Sequence, residues 1–323
     1  MKSVLGHILP LLRLTRVATA FAVVGNAWFV VLWTRANAQE PAHGALNSVA
    51  LWLVLVGATA NGLGLFGYAM CQNDILDLKR DRRLKPGRPL ASGAASRDTA
   101  IALSTWCLLA AVLGATVFGT VSVLLTLLLA GAILALNGIA RFIPALGLVA
   151  YGLIYAGQMI VPNPRLAFVW PVWLVMTHMT VLTGVTHALE RKVPPISTRA
   201  WVLAAGGWAF WSVVLLWVGT HRDRLWPDWV TAWAAFWPAV VMVLMVAAST
   251  RKVRLIGRGQ RAAEKIGRYG TLAMSCYGSA WMFGAGDTLD AGLLAALALA
   301  GYAGMTVLRE AYHLIENPVG YRR

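Results

Sequence analysis

Charged residues are scarce in this sequence, and acidic residues are the scarcest of them. Only 13% of the 323 residues are charged, and 28 Lys and Arg stand against 13 Asp and Glu. A soluble domain is usually about a quarter charged, so the composition excludes an ordinary soluble protein. No long polar tract divides the chain into two halves. We therefore predict a single domain over residues 1–323.

Cysteines are equally few, and their positions exclude two further kinds of architecture. Cys71, Cys107 and Cys276 are scattered along the chain and form no Cys-x-x-Cys pair. This pattern indicates neither a disulfide framework nor a zinc site.

Apolar sequence is abundant. The chain is 59% hydrophobic, with a mean hydropathy of +0.65 and fifteen tryptophans, a residue that gathers at bilayer interfaces. Stretches long enough to cross a bilayer lie near 17–34, 46–71, 98–117, 120–138, 142–161, 166–186, 200–219, 229–249, 269–285 and 291–309. We predict an all-α, polytopic transmembrane helix bundle of nine to ten spans. The first stretch, followed by Ala36-Asn37-Ala38, is either an uncleaved span or a secretory signal.

The net charge of +15 would suggest a nucleic-acid partner in a soluble protein, but its distribution has another explanation. With the N-terminus in the cytoplasm, only four of the 28 Lys and Arg fall on the outer side, which leaves 24 inside. The four are Arg35, Arg165, Arg222 and Arg224. This is the positive-inside rule. We predict a multi-pass protein with a cytoplasmic N-terminus in a bacterial inner membrane, and no nucleic-acid partner.

The most charged segment follows the second apolar stretch and reads NDILDLKRDRRLKPGRPLASG over residues 73–93. Asn73, Asp77 and Asp81 are spaced i, i+4, i+8, so on a helix they project from one face, with Asp74 within reach of it. Crowded carboxylates repel one another unless a cation neutralises them. Their oxygens suit Mg²⁺, which commonly bridges carboxylates and substrate phosphates. The pattern predicts a Mg²⁺–diphosphate site; the alternative is an ordinary charged cytoplasmic loop.

The segment resembles a known motif. NDILDLKRD followed by RPLASG is similar to the first aspartate-rich motif, NDxxDxxxD and then RPL-x-SG, of the UbiA superfamily of intramembrane prenyltransferases. The match is close in this segment, and the pattern of spans extends it loosely over most of the chain. The resemblance implies a UbiA-like fold and Mg²⁺-dependent transfer of an isoprenoid chain within the membrane. Its implied partners are a prenyl diphosphate, an aromatic or other lipid-pathway acceptor of unknown identity, and membrane lipid.

The second motif of the family is altered here. Relatives carry two or more acids in a DxxxD-like arrangement after the sixth span, whereas this chain has Glu190 alone, with His187 three residues before it. Either fewer Mg²⁺ ions bind, or His187 contacts the acceptor as a hydrogen bonder or general base. Relatives also often carry a Tyr and a Lys after the fourth span. Asn137 and Arg141 stand there in this chain, and Arg141 is either a diphosphate contact or a topology anchor.

These considerations give a set of predicted site residues. The predicted metal ligands are Asn73, Asp74, Asp77, Asp81 and Glu190, with Asp74 in a direct or supporting position. The predicted diphosphate contacts are Lys85, Arg88, Arg141 and Lys192. The predicted catalytic residues are Asp77, Asp81, His187 and Glu190.

Two rival functions remain open on the sequence. The altered second motif suits a relative that has lost catalysis and binds, or helps export, a lipid or small molecule. The intramembrane Asn61 and His178 suit a transporter or flippase, although the acids cluster on a loop and not at the membrane midplane. Asn61 either joins helices or lines a cavity, and the stripe formed by Tyr151, Tyr155 and Gln158 is expected to serve packing.

Overall fold

The chain folds into a bundle of α-helices. The computed structural model describes residues 10–16, 19–192 and 194–316, and these ranges contain no β-strand. In chain order the helices are α1 Phe21–Ala36, α2 His43–Asn47, α3 Leu51–Leu84, α4 Arg97–Thr116, α5 Thr120–Gly138, α6 Pro144–Met159, α7 Trp170–Glu190, α8 Thr198–Arg222, α9 Phe236–Ile256, α10 Gln260–Gly284 and α11 Thr288–Glu316. The predicted all-α class is confirmed.

Each predicted apolar stretch overlaps one of the long helices. Seven segments of the described chain are long and apolar enough to cross a membrane, and α1 is apolar but only 16 residues long. Helix α10 is less apolar because its first turns are charged. The protein is therefore an integral membrane protein, and the predicted number of nine to ten spans is approximate. The N-terminus and the start of the first stretch, at residues 17 and 18, lie outside the described residues.

Helix α3 is the longest element and carries the aspartate-rich segment. Its 34 residues extend about 51 Å at 1.5 Å per residue, whereas the hydrocarbon core of a bilayer is about 30 Å thick. Its last turns therefore project past the apolar layer. The helix ends at Leu84 because Lys85 precedes Pro86, and the residue before a proline is disfavoured in the helical conformation.

Small residues let α3 and α4 pack with their backbones in contact. A Cβ atom at Gly64 would lie 2.5 Å from the carbonyl oxygen of Cys107 and 2.6 Å from the backbone nitrogen of Ala111. One at Gly114 would lie 2.5 Å from the carbonyl oxygen of Gly57. Close approach of this kind drives helix association in lipid, where there is no hydrophobic effect between helices. It fixes α3 rigidly beside α4.

Asn61 joins three helices and does not line the two cavities described below. Its Nδ2 donates to the carbonyl oxygen of Ala111 on α4 at 3.0 Å and to Thr126 Oγ1 on α5 at 2.9 Å. An amide is costly in hydrocarbon unless it is hydrogen-bonded. Of the two roles that the sequence allowed for Asn61, the structure gives it the one of joining helices.

One end of the bundle is held by one buried acid. Glu40, 2% exposed, accepts hydrogen bonds from Trp33 Nε1 and from the backbone nitrogens of Ala167 and Phe168. Burial raises the pKa of its carboxyl group, and the two backbone bonds oppose that rise. These contacts tie the end of α1 to the segment that leads into α7. The aspartate-rich segment lies at the opposite end of α3.

Candidate active site

A cavity of about 390 Å³ opens at the end of the bundle where α3 and α7 terminate. Its walls come from the last turns of α3, the residues after α3, the connection between α5 and α6, and the end of α7. Nine of the predicted site residues line it: Asn73, Asp77, Asp81, Lys85, Arg88, Arg141, His187, Glu190 and Lys192. Segments that are far apart in the sequence therefore meet around one polar opening, which we call the polar cavity.

The helical register of α3 brings three of the predicted metal ligands to this cavity. Asn73, Asp77 and Asp81 lie in the last turns of α3 and share the face that borders the opening. The neighbouring residue Leu76 points away and is 46% exposed. The projection of these side chains follows from their spacing of four residues.

Arg141 binds two of these residues at once. Its Nη1 and Nη2 donate to the two carboxylate oxygens of Asp77 at 2.9 and 2.7 Å, and Nη1 also donates to Asn73 Oδ1 at 2.8 Å. Such a bidentate pair is among the stronger interactions of a guanidinium. Arg141 Nε is buried and has no partner within the described chain. Arg141 is thus an integral part of the wall of the polar cavity.

Arg88 neutralises the other two acids of the segment. It donates from Nη1 to Asp74 Oδ1 at 3.1 Å and to Asp81 Oδ2. Asp74 is 2% exposed, is also bound by Arg16 at 3.0 Å, and is absent from the cavity wall. Its place is the supporting one, behind Arg88. A direct contact between Asp74 and a ligand in the cavity would require this network to rearrange.

We call the end of α7 and the residues that follow it the second loop. This loop reaches the cavity through a sharp turn after α7. Arg191, at the helix end, has left-handed backbone angles of φ 52° and ψ 44°, and the chain then reverses so that Lys192 Nζ lies 2.7 Å from Glu190 Oε2. Left-handed angles are uncommon for a residue other than glycine. The turn places an acid and a base of the second loop together on the wall opposite α3.

His187 is held by its own loop. Its Nε2 lies 2.9 Å from the carbonyl oxygen of Pro194. Because a carbonyl oxygen can only accept, Nε2 carries the proton, and in the neutral ring Nδ1 is then a free acceptor. The imidazole therefore presents a basic nitrogen from a fixed position on the cavity wall.

Lys85 lines the polar cavity, and the pKa of its ammonium group is lowered there. Partial burial lowers the pKa of its ammonium group, the nearby Arg88 lowers it further, and Glu190 opposes the change. A bound anion would reverse this tendency, because negative charge beside an ammonium favours its charged form.

Some residues of the wall were not predicted as site residues. Arg16, which precedes α1, and Gln260, the first residue of α10, also line the cavity. Both reach the cavity through tertiary packing that no local pattern reveals. Asn137 lines the wall and donates to the carbonyl oxygen of Ala69 at 3.0 Å. Its spacing of four residues from Arg141 is the signal that could have indicated it.

A second, apolar cavity adjoins the first inside the bundle. It measures about 60 Å³, and Met70, Asn137 and Tyr151 line both cavities. The prediction that Tyr151, Tyr155 and Gln158 serve only packing is wrong, because all three line this apolar cavity. Their spacing places them on one face of α6, and the same face would serve either role. The polar cavity and the apolar cavity thus share part of their walls.

The residues of the polar cavity fit a divalent cation only if other oxygens complete its coordination. Asn73, Asp77, Asp81 and Glu190 offer the hard oxygens that Mg²⁺ prefers. Within the described ranges, however, no three acidic, histidine or cysteine side chains converge closely enough to hold a metal ion by themselves. The carboxylates of α3 are instead paired with arginines. This donor set fits a Mg²⁺ ion whose coordination is completed by substrate phosphates and not a preformed protein cage.

Comparisons with known proteins agree with this architecture. No family model and no curated protein matches the sequence. The chain is similar to a solved digeranylgeranylglyceryl phosphate synthase in membranes, with a TM-score of 0.54 and 15% identity over 86% of this chain and 98% of that chain. It is also similar to the apo structure of a UbiA homolog from Aeropyrum pernix K1, with a TM-score of 0.43 and 18% identity over 91% of this chain and 97% of that chain.

At 15% identity and a TM-score of 0.54, the likeness to the first of these structures shows the fold alone. The chain is an integral membrane protein with a UbiA-like fold, and the fold expected from the aspartate-rich segment is confirmed. In this chain arginines pair the carboxylates of α3, and Glu190 is the only acid among residues 187–199.

Proposed function

We propose that this protein transfers an isoprenoid chain from a prenyl diphosphate to an acceptor within the membrane, with Mg²⁺ as cofactor. One observation carries the proposal. Acids of α3, basic residues of three separate segments and the His187–Glu190 pair line a single polar cavity, which adjoins an apolar one. Such a site matches an amphiphile that has a highly charged head and a hydrocarbon tail. The acceptor is an aromatic or other lipid-pathway compound.

The basic residues of the wall would bind the diphosphate. Arg141 and Arg88 are now engaged by carboxylates, and phosphate oxygens are equally good partners for guanidinium groups. Lys85 and Lys192 add two ammonium groups from the facing loops. A diphosphate that enters would take over part of these bonds and release carboxylate oxygens of Asp77 and Asp81.

Asn73, Asp77, Asp81 and Glu190 would hold the metal together with those phosphates. When bound, Mg²⁺ neutralises the charge that develops on the departing diphosphate. Arg141 and Arg88 stabilise the same charge. The bond between the allylic carbon and the diphosphate oxygen breaks, and its electron pair leaves with the diphosphate. The apolar walls keep water from the allylic cation.

The acceptor then attacks that cation, which forms the new bond and releases a proton from the acceptor. His187 would take up this proton on Nδ1, because its Nε2 is committed to Pro194. An imidazole held in place on the cavity wall suits the role of general base in this step.

The membrane orientation is part of the proposal. We place the polar cavity on the cytoplasmic side of a bacterial inner membrane and the Glu40 cluster on the outer side, because basic residues are concentrated at the cavity end. Labelling of single introduced cysteines with a membrane-impermeant maleimide tests this. Ser92→Cys should react only after the cells are opened, whereas Asp223→Cys should react in intact cells.

A second function is favoured by the arginine pairing itself. Asp74, Asp77 and Asp81 each have an arginine partner already. The charges of these carboxylates are therefore neutralised without a metal. A protein that binds a lipid or small anionic molecule without converting it would also have this arrangement.

Release of diphosphate separates the two functions. Purified protein in nanodiscs, with Mg²⁺ and a membrane lipid extract as the acceptor source, should release diphosphate from geranyl, farnesyl or geranylgeranyl diphosphate. Asp77→Asn and Glu190→Gln should each lower the rate about 100-fold, the usual effect of removing a transition-state contact. Asp98→Asn, at an exposed acid outside the cavity wall, should leave the rate unchanged. Binding of the diphosphates with no release by the wild type would favour the non-catalytic function.

A further inference from the structure

Gln158 is an unusual residue for the wall of an apolar cavity. It is 3% exposed, lies next to the last residue of α6 and beside Gly62 of the membrane-spanning helix α3, and lines the apolar cavity with Tyr155 and Leu129. Both its Nε2 and its Oε1 are buried without a hydrogen-bond partner in the described chain. An amide with a free donor and a free acceptor therefore borders a space enclosed by hydrocarbon.

Such an arrangement is costly, because water does not reach the bilayer core to satisfy polar groups. Asn61 differs in its donor, since its Nδ2 donates to Ala111 and Thr126 and only its Oδ1 lacks a partner in the described chain. Leucine or methionine at position 158 would fill the same wall without the cost. The polar atoms of Gln158 thus require a partner that the described part of the chain does not supply.

The position of Gln158 defines where this partner lies. It follows Tyr151, which lines both cavities, by seven residues on α6, or about 10 Å along the helix axis. A Cβ atom at Gly62 would be 3.3 Å from Gln158 Nε2, so a larger residue there would crowd the amide. Gln158 therefore lies about two helical turns beyond the polar cavity, in the part of the apolar cavity that is farther from it.

The geometry points to a ligand whose hydrocarbon body carries a hydroxyl or carbonyl oxygen, which Gln158 binds inside the apolar cavity. A hydroxyl group would use both the donor and the acceptor of the amide, and a carbonyl would use the donor. The oxygen belongs either to the far end of the prenyl chain or to the acceptor. For the prenyl chain, the inference rests on the proposed function, because that function supplies the site that anchors the diphosphate. For the acceptor, the inference does not depend on a diphosphate.

Two matched pairs of ligands test it and separate the two sources. The first pair is geranyl diphosphate and its ω-hydroxylated analogue, and the second is butylbenzene and 4-butylphenol, which have no diphosphate. Binding is measured by quenching of intrinsic tryptophan fluorescence, so no turnover is needed. The wild type should bind the oxygenated member of one pair about tenfold more tightly than its hydrocarbon partner, the usual value of one well-made hydrogen bond in an apolar site.

Substitution of the amide should remove this preference. Gln158→Leu should bind the two members of that pair equally or favour the hydrocarbon. Asn26→Leu is the matched control, because it removes another buried amide with an unpaired Nδ2 on α1 that does not line the cavity; it should keep the preference. Gly62→Ala, which crowds Nε2, should weaken it.

The outcomes are distinct. Equal binding of both members of both pairs by the wild type, or an unchanged preference in Gln158→Leu, would overturn the inference. Failure of both diphosphates to bind, with the phenol preferred over butylbenzene, would contradict the proposed function and leave the inference for Gln158 standing.

Discussion

Removal of the Arg141 side chain should destabilise the protein and at the same time create affinity for Mg²⁺ alone. The side chains of Arg141 and Asp77 are 15% and 12% exposed, and three hydrogen bonds of 2.7 to 2.9 Å join Arg141 to Asp77 and Asn73. Arg141→Met would leave the Asp77 charge without its partner in a largely desolvated site.

The expected loss follows from this burial. Removal of one partner of a buried ion pair typically costs about 3–5 kcal/mol, and we take about 3 kcal/mol because this pair is partly exposed. At about 2 °C per kcal/mol for a chain of this size, the midpoint of thermal unfolding should fall by about 6 °C. In the variant, the freed oxygens of Asp77 and Asn73 can bind Mg²⁺. A Mg²⁺ concentration of ten times its dissociation constant would then restore about 1.4 kcal/mol of unfolding free energy.

The assay is thermal unfolding in detergent, followed by tryptophan fluorescence with and without MgCl₂ and with no diphosphate present. Arg224→Met is the control, since its bridge to Asp228 is 68% and 72% exposed and should contribute less than about 0.5 kcal/mol. The wild type should not respond to Mg²⁺. Equal destabilisation by the two substitutions, or no Mg²⁺ response in Arg141→Met, would refute the reasoning.

Three further predictions concern single positions. Because burial lowers the pKa of Lys85 and bound diphosphate would raise it, diphosphate affinity should fall as the pH rises through the lowered pKa. Calorimetry in two buffers at alkaline pH should show proton uptake that Lys85→Met abolishes. Gly64→Ala should cost about 2 kcal/mol of unfolding free energy, because its Cβ would meet the backbone at Ala111; Gly131→Ala, with open space around it, should cost nothing. At Arg191 (φ 52°), glycine should be more stable than valine by about 2 kcal/mol, and equal midpoints of unfolding would contradict the strained turn.

Much of the polar cavity could be predicted from local pattern. The i, i+4, i+8 spacing fixed which side chains of α3 share a face, since the helix period alone decides that. His187 and Glu190 could be placed near them because both segments follow even-numbered spans. The partner choice of each acid could not be predicted. Arg141 and Arg88 are separated in sequence from the acids that they bind by up to 64 residues, and only packing of the helices brings Arg141 into contact with Asp77.

The sequence by itself determined that the chain crosses a membrane many times, which ends of its helices carry charge, and which residue types gather at one end. Hydropathy and helical period are local properties, and they suffice for these conclusions. The tertiary structure decided that Asp74 lies behind the cavity wall, that arginines occupy the carboxylates, and that Gln158 borders an apolar space without a partner. Those facts depend on distances between residues on different helices, and these distances are set by side-chain packing across the whole bundle.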